Sequence, residues 1–154
     1  MSDRFRYRVQ IARSPTDVYA ALTTDEGIQG WWTPDCEVAS EIGGRSHFRF
    51  GEMYHTYEIL TLLPGREVQW QCVDHYHNLP ELTKFDEWVG TRLIFRLSSS
   101  EDGGTVLDFE HIGLTPDLEC FNHCSERWPF FLGVSMKQFL ETGTGRPYID
   151  REPE

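Results

Sequence analysis

From Phe5 to Ala12 apolar and polar side chains alternate without a break, the two-residue period of a strand with one buried face. Ser14-Pro15-Thr16-Asp17 then resembles a capping box with proline at the first helical position. Val18, Tyr19 and Leu22 continue it as a short helix to about Thr23, and Thr24-Asp25-Glu26 can cap a second one ending near Gly30. After Trp31-Trp32, Glu37 to Ala39 is a brief strand. From Gly43-Gly44 the period returns to two, with Arg45 to Gly51 carrying Phe48 and Phe50 on one face. Met53 to Leu63 is a longer strand, turned by Pro64-Gly65 into Glu67 to Asp74, where Val68, Trp70 and Cys72 share a side. His75 to Asp86 has no period and is expected to be a long loop. Trp88 to Ser98 alternates again, and Glu101-Asp102-Gly103-Gly104 is a hairpin turn answered by Thr105 to Ile112.

The last element is the largest. Phe121, Cys124, Trp128, Phe131, Leu132, Ser135, Met136 and Phe139 recur at spacings of three and four, one broad stripe on a helix. Thr115-Pro116-Asp117-Leu118-Glu119 supplies a start signal, and Thr142-Gly143 through Pro147 a stop. Pro129 removes a hydrogen bond to the Ser125 carbonyl, so a kink or a split is expected there. An antiparallel sheet with one apolar face needs a cover, and this helix is the only element long enough to supply it. The expected class is α+β: about six to seven curved antiparallel strands wrapped round a long C-terminal helix, with two short helices after the first strand. A length of 154 residues fits one domain, 1–154.

Composition narrows the partners. A net charge of −11 argues against nucleic acid, which demands clustered Lys and Arg. No apolar run approaches a membrane span and the N-terminus has no apolar leader core, so cytoplasmic residence is expected. Cys36, Cys72, Cys120 and Cys124 are then expected as free thiols.

Several local signatures occur together and in order: Ser14-Pro15-Thr16-Asp17-Val18-Tyr19, Trp31-Trp32-Thr33-Pro34, Gly43-Gly44, Gly103-Gly104-Thr105, His111-Ile112-Gly113 and Trp128. In this the chain resembles the START-like (SRPBCC) helix-grip superfamily, and within it the group related to the C-terminal domain of the activator of heat-shock protein 90 ATPase. The resemblance spans about Phe5 to Pro147. Members typically carry glycine before the last Trp, where this chain has Arg127, with Pro129 after it. The resemblance implies a deep cavity whose uses diverge, from lipid or hormone binding to polyketide cyclisation or chaperone regulation. Function therefore has to come from the residues.

Ten side chains are candidates to line such a cavity: Trp32, Phe48, Tyr57, Trp70, Phe95, Phe109, His111, Phe121, Trp128 and Phe131. The alternative for most of them is a plain hydrophobic core. A surplus of Trp and Tyr favours a ligand, because their polar tips need partners when buried. His111 shares a strand face with Leu107 and Phe109, and with Tyr57 it is the expected orienting polar group. It is also the one catalytic candidate, for a cyclase or hydratase type of enzyme. The competing reading is a core histidine bonded to a backbone carbonyl, and no carboxylate shares its face. Cys120, His123 and Cys124, with His75 or His77, have the residue types of a zinc site but only weak spacing. Neither a metal nor a cofactor is expected. The sequence has no Cys-x-x-Cys, His-Glu-x-x-His or Gly-x-Ser-x-Gly motif. Trp31 and Trp32 offer another possibility, an exposed patch for a protein. The expected partner is a small hydrophobic or aromatic molecule; a chaperone or other protein is the alternative.

Overall fold

A computed structural model describes residues 4–76, 83, 86–119 and 121–148. Strand β1 (Arg4–Ile11) leads into helices α1 (Pro15–Thr23) and α2 (Asp25–Trp31). Strands β2 (Asp35–Glu37), β3 (Arg45–Phe50), β4 (Met53–Leu63), β5 (Glu67–Tyr76), β6 (Arg92–Ser99) and β7 (Thr105–Ile112) follow. The chain closes with α3 (Phe121–Trp128), a π-helical segment (Pro129–Met136) and α4 (Lys137–Thr142). All strands pair antiparallel in the order β1-β7-β6-β5-β4-β3-β2, so the first strand returns to sit beside the last. The curved seven-stranded sheet with a C-terminal helix is the expected α+β arrangement. No helix among the described residues is long and apolar enough to cross a membrane.

Local signals explain the entry helices. The Ser14 hydroxyl accepts from Asp17 N–H at 3.3 Å and the Thr24 hydroxyl from Gly27 N–H at 3.0 Å, each satisfying an otherwise orphaned donor. On the sheet's inner face Ile11, Phe48, Tyr57, Val68, Trp70, Leu93, Phe95, Leu107 and Phe109 are buried to within 1%. The outer face is charged: Glu110 on β7 takes Arg4 at 2.7 Å and also pairs with Arg96, while Arg8 meets Asp108 at 2.6 Å. Cys36, Cys72 and Cys124 are free thiols; Cys120 lies outside the described residues.

Several details differ from expectation, beginning with the brief strand β2, which is Asp35–Glu37 and not Glu37 to Ala39. The last helix starts at Phe121, not Thr115. The Thr115 hydroxyl bonds the Asp117 side chain and Leu118 N–H turns back to the Thr115 carbonyl at 3.0 Å. The Glu119 carboxylate is drawn sideways to Thr83, accepting from its N–H at 2.9 Å and its hydroxyl at 2.6 Å. A capping signal has been used for a turn. At Pro129 the helix neither breaks nor folds over: Trp128 keeps helical angles (φ −61°, ψ −49°) and the chain widens into eight residues of π-helix. A proline ring leaves no room for the carbonyl of an α-helical turn, and the wider turn moves that carbonyl aside. Strand β5 runs two residues past Asp74, carrying His75 and Tyr76 into the sheet. Strand β6 begins at Arg92, because Glu87 to Gly90 form a turn. Its Ile94, in phase with Arg92 and Arg96, is buried opposite Gln69 and Glu110.

Packing of the last helix on the sheet and on α2 depends on two glycines. A side chain at Gly133 would run into the Tyr7 hydroxyl, and one at Gly30 into the Phe139 ring. Gly143, at φ 90°, ends α4 in the left-handed conformation with its N–H on the Phe139 carbonyl at 2.8 Å. The chain then turns back. Arg146 N–H reaches the Ser135 hydroxyl at 2.8 Å and Tyr148 N–H the Trp32 carbonyl at 2.7 Å, pinning residues 143–148 across the end of α2.

Candidate functional site

Trp32 is the hub of the interior. Its ring stacks on Trp31 at 5.3 Å and lies 4.7 Å from Phe48, 5.5 Å from Phe50 and 5.5 Å from Trp128. Both tryptophans are buried, at 0% and 2% exposure, so they form no exposed patch; Trp31 donates its indole N–H to the Ala21 carbonyl at 2.8 Å. Below them Phe48, Tyr57, Trp70, Phe95 and Phe109 interlock with ring centroids 5.0–5.8 Å apart and fill the sheet's inner face.

The filling stops short at one end. Between the Phe50–Met53 turn, Trp88 and the last helix a partly open recess of about 260 Å³ remains. Trp32, Phe50 and Trp88 line one side, Trp128 and Phe131 the other, and Tyr148 stands at the rim with its ring 5.5 Å from Phe50. Met53, His55, Cys124 and Arg127 complete the wall. A second depression of about 420 Å³ adjoins it, sharing Arg127, Phe131 and Tyr148 and adding Phe130, Gly145, Arg146 and Pro147.

Of the ten residues expected to line a cavity, Trp32, Trp128 and Phe131 border the recess. Phe48, Tyr57, Trp70, Phe95, Phe109 and His111 lie in the packed interior behind it, and Phe121 is half-buried at the start of α3. Burial pushes the Tyr57 phenol well above its ordinary pKa; its hydroxyl lies 3.2 Å from His55 Nδ1.

His111 is fully buried and built into a directed chain. The Trp128 indole N–H, a donor only, points at His111 Nδ1 at 3.1 Å. Nδ1 must therefore be bare, and the ring proton sits on Nε2, 2.9 Å from the Thr91 hydroxyl. That hydroxyl donates onward to the Trp88 carbonyl at 2.6 Å. Burial holds the imidazole pKa down to about 3, so it is neutral near pH 7. With both nitrogens engaged, His111 locks the last helix and the Trp88 turn to β7. Its partners are a hydroxyl and an indole, not a backbone carbonyl.

Met53, His55, Phe50, Trp88, Cys124, Arg127 and Tyr148 also border the recess and were not among the expected residues. His55 is in phase with Tyr57 on β4, so alternation was enough to find it. His75 was hidden. The register moves from Tyr57↔Cys72 to His55↔His75, an extra residue on β5 that turns His75 inward, where its ring stacks on Trp88 at 5.0 Å. Of the metal candidates, Cys124 lies on the recess wall; Cys120, His77 and the His123 side chain are outside the described residues. Among the described residues no three potential ligands come together.

A family model described as "Activator of Hsp90 ATPase homolog 1-like protein" matches residues 12–141. The chain belongs to this family. A solved relative, the Aha1 dimer from Colwellia psychrerythraea, is 33% identical with a TM-score of 0.76, covering 94% of this chain and 100% of that one. Protein MLL2253 from Mesorhizobium loti is 21% identical with a TM-score of 0.74, covering 93% and 99%. DynU16, from the dynemicin biosynthetic locus, is 16% identical with a TM-score of 0.74, covering 94% of this chain and 49% of that one. The latter two likenesses concern the fold alone. Comparison with curated proteins returns no match.

Proposed function

We propose that this member of the activator-of-Hsp90-ATPase-like family binds a small aromatic or otherwise hydrophobic molecule in the recess between the end of the sheet and the last helix. One observation carries the reading: rings of Trp32, Trp128 and Phe131 face an unfilled space while the interior behind them is close-packed. Concave apolar sites with few polar groups are where small ligands bind. The rings supply stacking surface, and His55 and Arg127 supply the polar contacts that orient a ligand. In this reading His111 holds the wall in place, its two nitrogens engaged by Trp128 and Thr91, which does not favour a base of a cyclase or hydratase there.

The test is to fill the recess. Cys124→Phe or Met53→Phe places a ring into the space from the wall. Calorimetric titration with neutral bicyclic aromatics should show saturable binding to the natural chain and at least about tenfold weaker binding to both filled variants. Undiminished binding by filled but folded variants would count against the site.

The family's description supports a second reading, association with a chaperone or another protein, and the Colwellia relative is a dimer. The ATPase rate of an Hsp90-type chaperone with and without this chain, and its sedimentation behaviour, distinguish that reading.

A further inference from the structure

The rim of the recess holds a cation without a counter-ion. The guanidinium of Arg127 lies over the rings of Phe130 and Phe131, 4.7 and 4.8 Å from their centroids. Among the described residues no carboxylate lies within ion-pair distance of Arg127; the same is true of Arg45, Arg66 and Arg92, but those do not border the recess, whereas Arg4, Arg8, Arg13, Arg49, Arg96 and Lys137 each hold a carboxylate. The adjacent Glu126 acts on it only at longer range. Arg127 is solvent-exposed, and a guanidinium with no carboxylate in reach is stabilised by an anion that can meet it through two parallel hydrogen bonds. Arg146 borders the adjoining depression together with Arg127, Phe131 and Tyr148, its backbone fixed by the bond to Ser135. Arg127 thus borders both depressions and Arg146 the second, on a chain of net charge −11.

We propose that the recess takes an aromatic carboxylate, its ring between Trp32, Trp128 and Phe131 and its carboxylate turned outward to Arg127, with Arg146 as the second cation. This rests on the reading of the recess as a ligand site. A carboxylate suits a guanidinium because both are planar and can meet through two parallel hydrogen bonds. At about 260 Å³ the space is smaller than the pockets that take drug-sized ligands, which fits one or two rings.

Calorimetric titration of the full chain with naphthoate and with uncharged naphthamide, near neutral pH, separates the two claims. Naphthoate should bind about tenfold more tightly, and the ratio should shrink at high salt. In Arg127→Met the ratio should fall towards one, while Arg127→Lys, which keeps the charge but not the fork, should retain part of it. If both probes bind equally, or if the preference survives in Arg127→Met, the carboxylate inference is overturned and the recess remains a site for neutral ligands. If neither binds, both readings fall together.

Discussion

The indole N–H of Trp128, at the last residue of α3, donates to Nδ1 of His111 on β7 at 3.1 Å, and this bond sets the tautomer of a fully buried histidine. It also ties helix to sheet beside the recess. His111→Phe would keep the bulk but leave the Trp128 donor and the Thr91 hydroxyl short of a partner. The expected cost is about 2–4 kcal/mol, read by urea unfolding. A cost within a few tenths of a kcal/mol would show that the chain of bonds contributes little.

The same histidine predicts how stability responds to acid. Its folded pKa, about 3, lies below the ordinary 6.5, so the unfolded chain takes up the proton first. Its contribution is therefore complete above about pH 6.5, is lost by roughly 1.4 kcal/mol per pH unit as pH falls towards 3, and changes no further below that. Unfolding curves of His111→Phe should be correspondingly flatter across the window. Parallel pH slopes in the two proteins would refute this.

Glu110 acts in a lower range. Hydrogen bonds from Arg4, then Arg96, lower its pKa below the usual carboxylate value, so its contribution is present above the ordinary carboxylate pKa and is lost as pH falls through its folded value. Glu110→Gln should cost about 1 kcal/mol at neutral pH and almost nothing in strong acid. A pH-independent cost would mean that packing, not charge, holds the outer face of β1, β6 and β7.

Close approach of Tyr7 to the π-helical segment requires glycine at position 133. Gly133→Ala should destabilise by about 1–3 kcal/mol. Adding Tyr7→Phe should recover part of that, since the ring carbon that carried the hydroxyl stays only 3.0 Å from the new methyl. Strictly additive effects in the double variant would contradict the contact.

Most strands and the inner aromatic layer were legible from residue period, because Phe48, Trp70, Phe95 and Phe109 all keep the phase of their strands, and the entry helices from their capping residues; the place of β1 beside β7 was not. The recess was only partly legible. Trp32, Trp128 and Phe131 follow from the pattern, but Phe50 and Met53 reach it through a tight turn, Tyr148 through a chain reversal after Gly143, and His75 approaches Trp88 through a bulge. Each depends on tertiary geometry that a period cannot encode. Thr115 misled for a related reason: a capping hydroxyl serves a turn as readily as a helix, and the pull of Thr83 on Glu119 decided between them.

Two-dimensional NMR of the five indole N–H groups, recorded while a neutral bicyclic aromatic is added, tests occupancy of the recess most directly. Saturable shifts should be largest at Trp32, Trp88 and Trp128, which border it, and smaller at Trp31 and Trp70, which do not. Shifts that never saturate, or that are largest at Trp31 or Trp70, would contradict ligand binding there.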